Sequence, residues 1–327
     1  MIARVLRDDL VRWLVFVAVA AALPLAGLGN DPYLMLLANV MLIFITLALS
    51  WDIVARTGQL SLAHAGFFGL GAYAVAIASR GSALHPLLAL GVAALAAGAV
   101  ALALGVVTLR LRGIYFAIAT LAFAEVLRTV ALQLPDLTGG TVGISLPPLF
   151  GGDRVASYYV ALAIVVVALG VSLGIRRSRL HYAVTAIRAN ETIARVMGVD
   201  VVRVKVSLFV VSAVLAALAG GFYVPFITHT DPYDAFDIGR SVASLVFPIF
   251  GGLYTTAGPV IGTILLRSLE EYLRVTPPWK DGYQVVYGLV IVVAVLFLPR
   301  GLIGLFEDAR RFRILRPNRV WRWRSSK

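Results

Sequence analysis

The chain has 327 residues, of which 60% are hydrophobic and only 14% are charged. Soluble domains carry about 25% charged residues, so a soluble fold is excluded and an all-α polytopic membrane protein is predicted. The sequence contains no cysteine, which excludes disulfides, thiolate metal sites and cysteine nucleophiles.

Apolar windows predict about ten helices that cross or re-enter the membrane. They lie at 12–29, 34–55, 60–79, 84–108, 113–133, 156–175, 205–227, 239–254, 257–274 and 283–299. The amino-terminal segment resembles a signal peptide, but an uncleaved first span keeps the later charge alternation regular. Segments 239–254 and 257–274 are short and are joined by a glycine-rich stretch, so a re-entrant pair is the alternative to two full spans.

The positive charge is distributed unevenly along the chain. The net charge is +12, and 22 of the 29 lysines and arginines lie in the ends and loops that alternate to one side of the predicted membrane. This asymmetry predicts cytoplasmic termini and favours a membrane role over nucleic-acid binding. The chain is predicted to divide into a transmembrane domain at 1–305, with a cytoplasmic loop at 176–205, and a basic cytoplasmic tail at 306–327. The tail is predicted to anchor on anionic lipid, with RNA binding as the alternative.

Small residues at regular spacing predict seams where helices pack closely. The predicted seams are Gly91, Gly98 and Gly105 with Ala94 and Ala101; Ser212, Ala216 and Gly220; and Gly258 with Gly262.

The stretch from Gly58 to Tyr73 carries four glycines, each of which weakens a helix by about 1 kcal/mol relative to alanine. Polar Gln59, Ser61 and His64 lie in the same stretch. One interpretation is a packing face with polar groups near the cytoplasmic interface. The other is a broken or re-entrant helix that lines a translocation path. The candidate path residues are Gln59, Ser61, His64, Gly66, Gly69, Tyr115, Thr120 and Glu125.

Ionisable residues inside predicted spans are candidates for function. Glu125 and Arg128 are three residues apart, so a structural ion pair on one helix face is preferred for them. Two further groups are predicted to lie at the membrane interface. They are Asp52 with Arg56 at the end of the second span, and Arg267 with Glu270 and Glu271 near the external end of the ninth.

The polar loop at 176–205 contains a predicted helix of about two turns, from Glu191 to Met197. Asn190 is placed to cap its start and Gly198 to end it. Glu191 and Arg195 form an i,i+4 pair on one side of this helix. The apolar residues Ile193, Val196 and Met197 fall on the opposite side. So short a helix is unstable alone in water, so its apolar face is expected to dock on a partner, or alternatively to lie flat on lipid.

Signatures of enzymes are missing from the sequence. The four histidines do not cluster, and neither an HExxH nor a GxSxG motif occurs, so a zinc or triad hydrolase has no support. None of the three lysines lies in a Walker A loop, so the chain is not expected to hydrolyse ATP itself. An ion-coupled transporter would need a titratable site at the membrane midplane, for which Glu125 is the candidate.

Several motifs follow one another in a characteristic order. They are Gly58–Tyr73, Leu109–Leu121 with Glu125, Thr138–Gly140 with Gly143, Ala186–Glu191 with Met197-Gly198, Gly251-Gly252, Gly258-Pro259 and Pro299–Leu302. Over roughly residues 35–305, this order resembles the LivM-type permeases of bacterial branched-chain amino-acid ABC importers.

The resemblance implies a multi-pass protein of the bacterial inner membrane and a transport subunit without its own ATPase site. Its implied partners are a second, LivH-type permease, two cytoplasmic ABC ATPases and a periplasmic substrate-binding protein. No cofactor or metal is implied for this chain, because ATP is used by the partner subunits. Branched-chain amino acids are the implied cargo, and related permeases that move urea, short amides or aromatic acids give the alternative.

The resemblance also implies a coupling loop that contacts an ATPase. The residues concerned are Arg188, Glu191, Ile193, Ala194, Val196, Met197 and Gly198. In ABC importers this loop carries an acid-Ala-Ala-x-x-x-Gly pattern. The glycine spacing holds here, but the acid lies one residue early and Ile193 stands in place of the first alanine.

Overall fold

The computed structural model describes residues 2–81, 84–108, 110–111, 113–276, 282–297 and 301–304. These residues form fourteen α-helices and one short two-stranded antiparallel sheet. In chain order the helices are α1 (Ile2–Ala22), α2 (Pro32–Ala55), α3 (His64–Gly81), α4 (Pro86–Thr108), α5 (Ile114–Gln133), α6 (Pro135–Thr138), α7 (Arg154–Arg177), α8 (Leu180–Ala189), α9 (Glu191–Val196), α10 (Val201–Ile227), α11 (Pro232–Ala235), α12 (Ile238–Gly251), α13 (Ala257–Val275) and α14 (Tyr283–Phe297). The strands are β1 (Ile144–Ser145) and β2 (His229–Thr230).

The fold is an all-α polytopic membrane fold, as predicted. By length and composition, five of the described helices can cross a membrane: α2, α4, α5, α7 and α10. Large apolar side chains on the outer face of α4, such as Leu95 and Val107, are exposed, as contact with lipid requires. The first helix ends at Ala22, earlier than predicted, just before Pro24. The predicted tail at 306–327 lies outside the described residues.

The core of the bundle is built on close contact between α3 and α10. A Cβ atom at Gly71 would overlap the carbonyl oxygen of Ala217, and one at Gly220 would overlap that of Phe68. The two backbones therefore touch, which in membranes requires small residues. The predicted seam that includes Ser212 and Gly220 is buried here, and its packing role is confirmed.

The seam predicted on α4 is wrong at its first position. Gly91 is exposed, and a Cβ there would meet nothing within 4 Å. The buried stripe of α4 instead repeats about every fourth residue. It comprises Ala89, Ala93, Ala97, Ala101, Gly105 and Thr108. Gly91 lies two residues beyond Ala89, about 200° around the helix at 100° per residue, so it faces away from this stripe.

Helices α12 and α13 form a tight hairpin beside α2. Cβ atoms at Gly251 and Gly262 would overlap the carbonyl oxygens of Gly258 and Phe247 respectively. The predicted Gly258–Gly262 packing seam is therefore confirmed. The turn of this hairpin, at 252–256, lies near the carboxyl-terminal end of α2, because the Tyr254 backbone reaches Asp52 there.

Candidate translocation path and coupling surface

The chain between α2 and α3 is not helical from residue 58 to residue 63, although the apolar window predicts a span from residue 60. Its backbone is held by side chains from other elements. The Trp51 indole donates to the Ser61 carbonyl at 2.8 Å, and the Leu62 N–H donates to the Thr120 hydroxyl at 2.9 Å. Irregular backbone is tolerated inside a membrane bundle only where such partners or water satisfy it.

One serine of α12 holds both sides of this break. The Ser241 hydroxyl donates to the carbonyl of Leu62 at 2.8 Å and accepts from the N–H of Ala65, also at 2.8 Å. Ser241 thereby bonds the last part of the irregular segment and the first turn of α3, where backbone N–H groups have no partner within the helix.

The start of α3 lies inside the bundle. His64 is its first residue, and its Nε2 atom lies 3.0 Å from the Ser212 hydroxyl. Ser212 is eleven residues beyond the start of α10 at Val201, a distance of about 16 Å along the helix axis. Of the two interpretations of the glycine-rich stretch, this geometry matches the broken helix.

The structure brings six of the eight candidate path residues together around this break. Gln59, Ser61, His64 and Thr120 are buried, and Gly66 and Gly69 pack closely on Ala124 and Phe236 respectively. Two buried atoms there, Gln59 Nε2 and His64 Nδ1, have no hydrogen-bond partner within the part of the chain that the structure describes, which is uncommon for buried polar atoms.

The other two candidate path residues lie elsewhere. Tyr115 is 70% exposed near the start of α5. Glu125 is also exposed and forms the predicted ion pair with Arg128 on the outer surface of α5. Across the described residues, no three His, Asp or Glu side chains converge to hold a metal ion.

Asp52 and Arg56 lie at the carboxyl-terminal end of α2, the predicted span end, and both are buried inside the protein. Arg56 bonds the Asp52 carboxylate at 2.8 Å and donates to the Ser172 hydroxyl of α7 at 2.6 Å. That hydroxyl lies 3.0 Å from the hydroxyl of Thr256. The other Asp52 oxygen accepts the backbone N–H of Tyr254 at 2.8 Å. The pair therefore joins α2, α7 and the α12–α13 turn, a role that sequence spacing did not reveal.

Arg267 also lies deeper than the predicted external end of its span. Its guanidinium is 4.4 Å from the centre of the Phe44 ring and 2.7 Å from Glu270. Phe44 is the thirteenth of the 24 residues of α2, so this ion pair lies beside the middle of a helix that can cross the membrane. Arg267 therefore lies near the midpoint of α13 and not close to its end, and its interfacial position stays a prediction.

Helix α9 forms the predicted short helix of the polar loop, and α8, which was not predicted, precedes it. Asn190 caps α9, its side chain accepting from the N–H groups of Thr192 and Ile193. Gly198 follows the helix with a φ of +84°, the left-handed conformation that glycine adopts without strain. The placement of cap and terminator is therefore as predicted.

The apolar face of α9 is exposed. The exposed fractions are 61% for Ile193, 83% for Val196 and 77% for Met197. Ala194 points the other way and is buried with Ile187 and Val201. Three neighbouring apolar side chains in this position are available to a partner.

Two charged contacts fix α9 and its neighbour on the bundle. Glu191 pairs with Arg195 at 3.8 Å, as predicted, and also with the buried Lys205 of α10. Arg188 of α8 places its guanidinium 3.9 Å from the centre of the Tyr254 ring. The contact between Arg188 and Tyr254 was not predicted, since 66 residues separate the two in sequence.

Comparison with known proteins identifies the family. Residues 33–295 match the family described as the permease component of branched-chain amino acid transport systems. The chain is 30% identical to the LivM permease protein of Salmonella typhimurium over 299 residues, covering 82% of this chain and 69% of that protein. It is 27% identical to LivH of Escherichia coli K12 over 52% of this chain and 58% of that protein. It is also 28% identical to the L-arabinose permease protein AraH of Escherichia coli K12, over 55% and 56% respectively.

Proposed function

This chain belongs to the family of permease components of branched-chain amino acid transport systems, and we infer that it imports hydrophobic amino acids as one half of an ATP-driven permease pair. It is an inner-membrane transport protein. The proposed importer contains a second, LivH-type permease, two cytoplasmic ATPases and a periplasmic substrate-binding protein. In this arrangement the chain has about ten crossings or re-entrant helices and both termini in the cytoplasm.

The observation that carries the proposal is the exposed apolar face of α9. Ile193, Val196 and Met197 together present an uncovered apolar surface on a loop whose basic residues place it in the cytoplasm. The sequence has no Walker A lysine, so the energy comes from another chain. We propose that this face is the docking surface for an ATPase subunit. That subunit, and not this chain, binds and hydrolyses ATP.

Movement of the docked α9 reaches the bundle through the contacts described above. Arg188 lies against Tyr254, and Tyr254 is bonded to Asp52 on α2. A shift of α8 and α9 is therefore transmitted to α2, α7 and the α12–α13 hairpin. We propose that the non-helical segment 58–63 is the part of the translocation path that rearranges during transport. Rearrangement of such irregular backbone breaks fewer helical hydrogen bonds than rearrangement of a continuous helix.

Capture of the partner ATPases tests the coupling surface. The chain is co-expressed with its second permease and two ATPases, and Val196→Asp is compared with Val202→Asp, which changes another exposed valine outside α9. Val196→Asp is expected to lose ATPase capture and ATP-dependent leucine uptake, because a buried unpaired charge opposes docking. Equal capture by both variants would contradict the proposal.

A second pair of variants tests the end of the coupling helix. Gly198→Arg is expected to leave membrane insertion intact and to uncouple uptake from ATP hydrolysis, whereas Gly198→Asn keeps a residue that tolerates the left-handed conformation. Normal uptake by Gly198→Arg would remove the coupling role. Uptake that persists without any ATPase would favour the ion-coupled alternative.

The cargo is tested separately. Relatives include permeases named for branched-chain amino acids and one named for L-arabinose, and the resemblance extends to permeases for urea, amides and aromatic acids. Uptake of labelled leucine is therefore compared with uptake of arabinose, urea, acetamide and benzoate in the same vesicles. Leucine is the expected cargo, and transport of another solute in its place would contradict that part of the proposal.

A further inference from the structure

A cavity of about 330 Å³ opens between the start of α2 and the ends of α10 and α13. A second, of about 480 Å³, lies beside it toward α12 and α14. Arg240, Arg267, Glu270 and Phe44 line both cavities. Clefts that bind small molecules have volumes from about 300 Å³ upward. By the charge pattern of the chain, this half of the bundle faces the outside of the cell.

Two arginines of this region, Arg240 and Arg267, each have a buried guanidinium nitrogen without a hydrogen-bond partner among the described residues, Nη1 and Nε respectively. Arg240 is the more buried of the two. It is only 8% exposed, and its guanidinium lies 4.7 Å from the centre of the Phe68 ring and 4.9 Å from that of Tyr223. Its Nη2 atom donates to Asp234 at 2.7 Å, but its Nη1 atom has no hydrogen-bond partner. A buried charged donor without a partner is unfavourable, so Arg240 is held in place with capacity to bind a further acceptor.

The acidic side chains of the first cavity are already engaged. Glu270 accepts from Arg267 at 2.7 Å. Glu271 accepts from Arg274 at 2.7 Å and is also bonded by the Tyr33 hydroxyl. These carboxylates therefore balance their own arginines and leave Arg240 with Asp234 as its acidic partner.

Part of the wall of the first cavity is aliphatic. Leu36, Leu37 and Val40 of α2 line it, together with Ile227 at the end of α10. A guanidinium and aliphatic side chains that line the same cavity match a small molecule that has a carboxylate at one end and a hydrocarbon group at the other, because guanidinium binds carboxylate through paired N–H donors.

We propose that this cavity is an entry site in which Arg240 binds the carboxylate of the cargo while the α2 wall receives its hydrocarbon side chain. The proposal rests on the proposed function, because it names the class of cargo as a small aliphatic carboxylic acid such as an amino acid. It also assigns a residue that selects for the carboxylate after the binding protein has released the cargo.

The absence of cysteine from the sequence allows a direct test in the assembled importer with cysteine-free partners. Val40→Cys places one thiol on the aliphatic wall of the cavity. The measured quantity is a ratio of two labelling rates in right-side-out vesicles. The rate at which the thiol reacts with an anionic methanethiosulfonate is divided by its rate with a cationic one. Arg240→Gln is expected to lower this ratio by about fivefold, because one positive charge near the thiol is removed. Arg80→Gln is the control, since it removes the same charge from an exposed position at the end of α3.

Protection by ligand identifies what the cavity binds. Leucine is expected to slow labelling of the thiol, whereas isoamylamine, which lacks the carboxylate, is expected not to. Arg240→Gln should abolish protection, Arg240→Lys should restore part of it, and Asp234→Asn should strengthen it while leaving the arginine intact. If Arg240→Gln does not accumulate, the lysine and Asp234→Asn variants carry the test.

Three outcomes would overturn the proposal: equal protection by leucine in the Arg240→Gln background, protection by isoamylamine equal to that by leucine, or protection by inorganic phosphate without protection by leucine. Leucine uptake by the unmodified importer is measured in parallel. If uptake is normal and protection is absent, the entry site is wrong and the proposed function stands. If the unmodified importer does not take up leucine, the proposed cargo is wrong.

Discussion

The guanidinium of Arg188 stacks on the ring of Tyr254, 3.9 Å from its centre. Arg188 belongs to α8, next to the exposed helix α9, whereas Tyr254 belongs to the turn between α12 and α13. The Tyr254 backbone in turn bonds Asp52. Within the described residues, this stacking connects the proposed ATPase docking surface with the buried ion pair of α2.

Removal of the Tyr254 ring is therefore expected to weaken coupling. A cation–π contact stabilises by about 0.5–2 kcal/mol, so Tyr254→Leu should lower leucine uptake per ATP hydrolysed by between about twofold and thirtyfold. ATP hydrolysis and uptake are measured together in proteoliposomes. Tyr272→Leu is the control, because Tyr272 is exposed on α13. An unchanged ratio of uptake to hydrolysis in Tyr254→Leu would show that the stacking transmits nothing.

The buried Asp52–Arg56 pair is expected to stabilise the folded permease. Asp52→Leu leaves the Arg56 guanidinium buried without its carboxylate, which typically costs about 3–5 kcal/mol. The double variant Asp52→Leu with Arg56→Met should be less destabilised than Asp52→Leu alone, since no buried charge remains. The melting temperatures of the purified permeases give this comparison.

The exposed pair Asp200–Arg203 of the polar loop provides the control for that comparison. Both side chains are exposed, and exposed pairs contribute about 0–1 kcal/mol. Arg203→Gln should therefore change the melting temperature little. If Asp52→Leu were equally mild, the carboxylate would not stabilise the fold in the way the contacts indicate.

The elements that sequence patterns predicted correctly are those whose stabilising contacts are local. Asn190 caps the helix that begins at the next residue, and Gly198 follows the end of the same helix, so the spacing of a few neighbouring residues was sufficient. The long apolar helices were predictable for the same reason, because each satisfies its own backbone hydrogen bonds. The family resemblance rested on several such local motifs in one order.

The features that the sequence left open depend on distant partners. Arg56 is buried because Ser172, 116 residues away, accepts its hydrogen bonds. The break before His64 is held by hydroxyls from α5 and α12. A single sequence does not indicate which distant hydroxyl will meet which backbone group, so both interpretations of the glycine-rich stretch remained possible until the packing was known.

Ser241 offers a test of the broken segment. Ser241→Ala removes the donor to the Leu62 carbonyl and the acceptor of the Ala65 N–H, leaving buried backbone groups unsatisfied at a cost of about 1–3 kcal/mol. Ser244→Ala is the matched control, since Ser244 is also buried but bonds only the carbonyl of Ser241 on its own helix. We expect Ser241→Ala to melt at a clearly lower temperature and to import leucine more slowly. Equal melting of the two variants would mean that the break does not depend on Ser241.

The backbone contact between α3 and α10 can be tested by comparing substitutions at two glycines. Gly71→Val places a branched side chain where a Cβ atom would already overlap the Ala217 carbonyl, whereas Gly91→Val places it in open space on α4. Overpacking of a close contact typically costs about 1–3 kcal/mol and more when backbone must move. Valine on an open helix face adds no such overlap. Gly71→Val should therefore fail to accumulate in membranes or lose several degrees of melting temperature, and Gly91→Val should match the parent protein. Comparable accumulation and melting of both variants would contradict direct backbone contact between α3 and α10, and with it the placement of the start of α3 inside the bundle.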